Sequence, residues 1–249
     1  MNKKRVTDLR TIGLFGKKPI IGLTMFVIGI LIFIILAYNL VTQGPLIKLD
    51  LPIAEFFHAL ALKSPGFVID IMIIGYYAGL QGVEIFVVLF CLYFLYKRFW
   101  RELVMFIVTL AGGGLLFEIL SNIFKRPRPF ILFDKMIWPG SPNIPSFPSG
   151  HALSIVTLSC FLIYLLIPKI KSYLKKSLVV LIALLIIFYI GFSRLYVGDH
   201  YLTDIISGYA IGIAWFGLAI TCVELMFKKS SERKNGNEQL PPKKRGMNK

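Results

Sequence analysis

The stretch "FPSGHALSIVTLSCFLIYLLI", residues 147–167, sets a proline, a hydroxyl, a glycine and an imidazole at the mouth of an apolar run without a single charge. A run of about this length crosses a bilayer core as a helix, roughly 20 residues for 30 Å of hydrocarbon. The polar mouth then sits where the helix meets water. Composition points the same way. Of the 249 residues, 56% are hydrophobic and only 16% charged, and the mean hydropathy is +0.73. Soluble domains carry closer to a quarter charged residues. The net charge of +15 does not make this a nucleic-acid binder. Such a protein gathers its basic residues on one exposed face among aromatic and polar contacts, whereas here they fall between apolar stretches. Cys91, Cys160 and Cys222 lie inside apolar segments without metal-ligand spacing, so buried thiols and no disulfide framework are expected.

Five more runs share the character of the first, at residues 20–41, 79–96, 103–124, 178–192 and 205–227. The run at 20–41 follows a basic leader, residues 1–19, but is too long for a signal-peptide core and has no small-residue cleavage site after it, so it is expected to stay as an anchor. Two shorter segments, 51–62 and 66–79, suit interfacial or half-buried helices. The tail 228–249 is polar and basic and contains Pro-Pro, which predicts disorder. The predicted fold is all-α: six transmembrane helices over residues 20–227, with short interfacial helices between the first and second spans. Most of the 28 Lys and Arg residues fall in the leader, after the second and fourth spans, and in the tail. That bias puts both termini in the cytoplasm of a multi-pass cell-membrane protein.

Six crossings have a consequence for chemistry. Span three ends in "FKRPRPF", span four begins at "PSGH", and "SRLYVGDHYLTD" joins span five to span six, so all three polar clusters emerge on the outer face. Taken singly each has a plain reading: a membrane-edge loop, a serine helix cap, an interfacial turn. Together they form a constellation. His200 and Asp204 stand four residues apart and share a helix face, so the carboxylate can hold one imidazole nitrogen and leave the other as a nucleophile. Arg128 and Arg194 carry planar, permanently charged forks that match phosphate oxygens. Ser149 and Gly150 open the fourth span, where free N–H groups and the helix dipole favour an anion. His151 beside them can protonate a leaving oxygen.

Arg128-Pro129, the "PSGH" of residues 148–151, and Ser193-Arg194 followed by His200 and Asp204 resemble the three-part signature of the type 2 phosphatidic acid phosphatase (PAP2) family. The resemblance covers about the second half of the chain. It implies hydrolysis of a lipid phosphate with no metal or other cofactor. In that scheme His200 is the nucleophile, Asp204 orients it, and His151 serves as acid and then base, while Arg128, Ser149, Gly150 and Arg194 hold the phosphate. The lipid would be a polyprenyl diphosphate, phosphatidylglycerol phosphate or phosphatidic acid; a lipid phosphotransferase and a non-catalytic lipid-phosphate binder or transporter stay open as alternatives. One departure stands out. The family's first motif opens on a lysine seven residues before its arginine, and here that position is Ser121. Lys125, or failing that Arg126, is expected to supply the missing cation to the phosphate. Glu118, one turn inward, is expected to face the bundle interior, either protonated or beside an arginine. Asp199 reads as a cap on the last helix, and Trp100 and Trp138 as interfacial anchors.

Overall fold

The computed structural model describes residues 14–133, 137 and 143–238. The basic leader through residue 13, Trp138 and the tail from residue 239 lie outside the described residues. After a single turn, α1 (Leu14–Lys17), the first long helix is α2 (Pro19–Thr42). It opens on a proline, whose missing N–H costs nothing in a first turn, and stops at Gln43, which adopts a left-handed φ of 53°. Two short helices, α3 (Pro45–Lys48) and α4 (Asp50–Lys63), follow.

Next come α5 (Gly66–Tyr77), one π-helical turn (Ala78–Gly82) and α6 (Val83–Lys97), which form a single membrane-length stretch of 32 residues. Residues 66–79 are therefore the first half of the second span and not a separate interfacial helix. The glycines and Gln81 that suggested a break are absorbed by the π turn, which widens the helix without ending it. Gly79 lies so close to the neighbouring span that a Cβ there would come within 2.8 Å of Ile190 Cγ2.

The remaining elements are α7 (Trp100–Phe124), a 3-10 turn (Pro129–Leu132), α8 (Gly150–Leu166), a second 3-10 turn (Ile167–Lys169), α9 (Tyr173–Tyr196) and α10 (Leu202–Glu238). Among the described residues, six helical stretches are long and apolar enough to cross a membrane. α9 is longer than its apolar run, starting at a Ser172 cap and ending beyond Arg194, so the Ser-Arg pair occupies its last turn. α10 runs on as helix to Glu238, past the point where disorder was expected to begin.

Burial identifies the centre of the bundle. Half of the α8 span and 61% of the α10 span are buried, against 17% to 28% for the other four. The outer helices turn large side chains outward, among them Ile28, Leu31 and Ile35 on α2 and Leu184, Leu185 and Phe188 on α9. Between them one apolar cluster collects Phe94, Phe106, Phe161, Phe216 and Ile220. A second packs Phe33, Leu36, Phe147, Leu153 and Ala214. Cys91 and Cys160 are half-buried and Cys222 is exposed on the outer surface of α10, contrary to the expectation that all three thiols are interior; none is paired.

The intramembrane acid that faces inward is Glu224, not Glu118. Glu118 is exposed and accepts a hydrogen bond from Asn122 at 2.9 Å, one turn along the same helix. Glu224 is almost fully buried, accepts hydrogen bonds from Tyr164 and the Gly16 N–H, and lies 3.6 Å from Arg101. This cluster ties α1, α7 and α8 to α10, the pairing that a buried charge requires.

Candidate active site

The site forms where the last turns of α7 and α9 meet the first turns of α8 and α10. Phe147 is fully buried between Phe33 and Phe124, with ring centroids 5.8 and 4.9 Å away, and this pins the segment that leads into α8. Ser149 caps α8 through Oγ, which accepts the Ala152 N–H at 3.4 Å, while its own N–H donates to the Asp204 carbonyl at 2.9 Å. Gly208 on α10 permits this approach, since a Cβ there would lie 2.5 Å from the Ser149 carbonyl oxygen. The N-termini of two helices thus face each other, and their first N–H groups have no intrahelical acceptor.

His151 and His200 sit across this junction with ring centroids 6.2 Å apart. His200 Nδ1 lies 2.8 Å from the Ser146 carbonyl oxygen, which can only accept, so Nδ1 carries the proton and Nε2 keeps a lone pair. Asp204 does not make that bond. Its Oδ2 stands 3.6 Å from His200 Nδ1 and instead accepts the Tyr201 N–H at 2.9 Å, so its hold on the imidazole is that of a nearby charge.

Arg128 donates from its NH1 group to the Asp199 carboxylate and from Nε to the Ile144 carbonyl at 2.8 Å. Arg194 is wholly buried. The Ser193 hydroxyl accepts from two of its nitrogens at 2.9 and 3.2 Å, and its guanidinium lies 4.4 Å from the centroid of Tyr76. The Tyr76 ring is also 5.1 Å from that of His151. Four buried polar atoms at this junction have no hydrogen-bond partner among the described residues: His151 Nε2, His200 Nε2, Arg194 NH1 and Asp199 Oδ2. Ligand-capable atoms of His151, Asp199 and His200 lie within 4.8 Å of one another, a spacing that a metal ion could use. Two guanidiniums on the same carboxylate favour an anion there instead.

Lys125 and Arg126, the two cations expected near the phosphate, are placed differently. Lys125 is the exposed C-cap of α7, with a left-handed φ of 46°, and lines a groove of about 710 Å³ whose lining includes neither histidine. Arg126 is buried and spans two acids, donating to Asp204 Oδ1 at 2.6 Å and Asp50 Oδ2 at 2.8 Å, with Tyr201 packed against its guanidinium at 3.9 Å. Asp50, from the first turn of α4, also accepts the Thr203 N–H at 3.1 Å. Burial pushes the Asp50 carboxyl above its ordinary value despite the opposing pull of Thr203 and Arg126. Asp199 does not cap α10, because its carboxylate lies between Arg128 and Arg194. Burial would raise that carboxyl, but the positive charge around it, that of Arg128 and Arg194 included, outweighs burial and holds it at about 2.

The structure therefore brings together His151, His200, Asp204, Arg128, Ser149, Gly150 and Arg194, and leaves Lys125 apart. Sequence reasoning missed Asp50, Tyr76, the place of Arg126 against Asp204 and the placement of Asp199. For Arg126 a signal existed, the second arginine of "RPRP"; Asp50 and Tyr76 sit in segments whose pattern speaks only of membrane.

Known proteins resemble this chain in sequence and in fold. The PAP2 superfamily profile matches residues 102–227. Phosphatidylglycerophosphatase B of Bacillus subtilis is 32% identical over 126 residues, 50% of this chain and 59% of that protein. Lipid A 1-phosphatase of Rhizobium johnstonii is 32% identical over 120 residues, 46% of this chain and 45% of that protein. These matches span about half the length of the relatives. The crystal structure of a transmembrane PAP2-type phosphatidylglycerolphosphate phosphatase from Bacillus subtilis superposes with a TM-score of 0.64 at 25% identity, covering 86% of this chain and 96% of that one. LpxE of Aquifex aeolicus shares the fold with a TM-score of 0.51 at 23% identity, over 66% of this chain and 92% of that one.

Proposed function

This chain belongs to the PAP2 superfamily, and from that premise we propose that it hydrolyses a lipid phosphate, without a metal ion, through a phosphohistidine on His200. The observation that carries the proposal is the pair of buried imidazole Nε2 atoms without hydrogen-bond partners among the described residues, set beside Arg194 NH1, with the His200 proton held on the far nitrogen by Ser146. His200 Nε2 attacks phosphorus and the bond from phosphorus to the lipid oxygen breaks. His151, protonated, gives its proton to that oxygen, and the lipid alcohol leaves. Water then attacks the phosphohistidine and loses a proton to His151; the P–N bond breaks and inorganic phosphate departs. Arg128 and Arg194 meet the charge on the non-bridging oxygens, together with the first N–H groups of α8 at Gly150 and the Ser149 hydroxyl. Asp204 stabilises the imidazolium that forms on His200. Of the two cations offered in place of the lysine absent at Ser121, Lys125 lies apart from the histidines and Arg126 is given a different task, supporting Asp204 instead of meeting the phosphate.

The substrate is a long-chain lipid phosphate or diphosphate, with phosphatidylglycerol phosphate favoured by the relatives and polyprenyl diphosphate and phosphatidic acid as the neighbouring candidates. The distribution of Lys and Arg supports cytoplasmic termini and a site on the opposite, extracytoplasmic face. The test is phosphate release from a panel of these lipids in detergent with EDTA present, comparing the wild type with His200→Ala. Release that continues unchanged in the variant, or stops on chelation, would overturn the mechanism. Transfer of phosphate to a second lipid instead of its release would replace hydrolase with phosphotransferase.

A further inference from the structure

Six charged side chains are buried around the junction, three arginines and three aspartates: Arg126, Arg128, Arg194, Asp50, Asp199 and Asp204. Arg126 is fully engaged by Asp50 and Asp204. Arg128 and Arg194 are the guanidiniums left for phosphate, and between them stands Asp199. Its Oδ1 accepts from Arg128. Its Oδ2 is 3.8 Å from Arg194 NH1 and 3.6 Å from His200 Nε2, and hydrogen-bonds to neither. That oxygen faces the atoms that a phosphoryl oxygen would face. A carboxylate serving only to fix Arg194 would bond it directly, and the Ser193 hydroxyl already does that. The carboxyl is held at about 2, so it stays ionised throughout the physiological range.

We propose that Asp199 is a resident anion whose carboxylate competes with phosphate for Arg128 and Arg194, lowering the affinity of the site for phosphate groups and above all for the inorganic phosphate it releases. The proposal rests on the phosphatase reading above. A substrate phosphate displaces the carboxylate from Arg128, held in place by its lipid anchor in the bilayer. Free phosphate has no such anchor, so the returning carboxylate expels it. Asp199 is then a residue that sets product inhibition.

Asp199→Asn keeps the shape and removes the charge. Using the full chain in detergent, inhibition of lipid-phosphate hydrolysis by inorganic phosphate and by orthovanadate is measured alongside the shift in Tm that each anion causes. The expected result is an inhibition constant at least about ten-fold lower than in the wild type, a lower Tm without added anion, and a larger upward shift when phosphate is added. Asp199→Glu carries the carboxylate further into the pocket and is expected to raise the inhibition constant; if the Asn variant does not fold, this variant decides, and an unchanged constant overturns the proposal. Equal inhibition constants and equal shifts in Asp199→Asn and wild type would reduce Asp199 to scaffold and end the inference while sparing the phosphatase reading. Loss of kcat with an unchanged inhibition constant would likewise end it, by making Asp199 part of the chemistry. Phosphate and vanadate binding to neither protein would overturn the inference and the phosphatase reading together.

Discussion

Replacing Arg126 with methionine keeps most of the side-chain volume and removes the charge that separates Asp50 from Asp204. Two hydrogen bonds to carboxylates, at 2.6 and 2.8 Å, and a third to the Thr203 hydroxyl at 2.9 Å are lost with it. Removing one partner of a buried ion pair costs about 3–5 kcal/mol, because the other charge stays buried. At roughly 2–4 °C per kcal/mol for a chain of this size, the expected fall in Tm is on the order of 10 °C. The deficit has a pH signature. Burial already holds the Asp50 carboxyl above its ordinary value, and Thr203 and Arg126 are what pull it back. Without Arg126 the carboxyl rises further. An acid whose folded pKa exceeds its unfolded value binds its proton more tightly in the fold, so it costs least stability below the unfolded pKa and most above the folded one. The Tm deficit of Arg126→Met is therefore expected to widen as pH rises from the acid side through neutrality. Thermal unfolding in detergent, followed by circular dichroism across that range, measures it. Lys125→Ala is the control, and as an exposed C-cap substitution it is expected to move Tm by only a degree or two. A deficit that is flat with pH, or one matched by Lys125→Ala, would refute the assignment of Arg126 as the cation that supports Asp204.

Two further outcomes follow from the geometry. Tyr76 meets Arg194 with its ring face at 4.4 Å, so Tyr76→Phe is expected to keep most of the activity, while Tyr76→Leu loses roughly ten-fold in kcat/KM, the scale of a desolvated cation–π contact; equal losses in both variants would show that the hydroxyl is what matters. Glu224 lies twenty residues along α10 from Asp204, about 30 Å at helical rise, so Glu224→Gln is expected to lower Tm by weakening the Arg101 and Tyr164 contacts while leaving the KM of the folded enzyme unchanged, as thermal unfolding and steady-state kinetics on the same preparation would show.

The two kinds of information in this chain differ in how openly they are written. Membrane length and apolarity are local, so five of the six spans stand where the apolar runs place them; the second differs because a π turn lets glycine and glutamine continue a helix. The signature residues carry unusual chemistry in apolar surroundings, and that contrast exposed His151, His200, Asp204, Arg128 and Arg194. The residues that electrically complete the site carry no such contrast. Asp50 lies in an interfacial helix where a carboxylate near the first turn is ordinary, and only the fold shows that it is buried against Arg126 and Thr203. Tyr76 reads as one more aromatic in a span until the close packing of α5 and α9 lays it over Arg194.

Charge balance explains why those hidden residues are present at all. Arg126, Arg128 and Arg194 are all buried, and isolated buried cations are too costly for a fold to hold without counter-charge. On the proposed mechanism, phosphate supplies that charge only while it is bound. Between turnovers the protein has to supply it, and Asp50, Asp199 and Asp204 do so one for one. Two of these carboxylates are committed to Arg126, through hydrogen bonds a substrate has no reason to break. The third reaches across Arg128 toward Arg194 with one oxygen unbonded. On the proposed reading, a site that bound phosphate through Arg128 and Arg194 with no resident anion would be slow to let it go; one that carries its own anion surrenders part of the binding energy and gains a route for release.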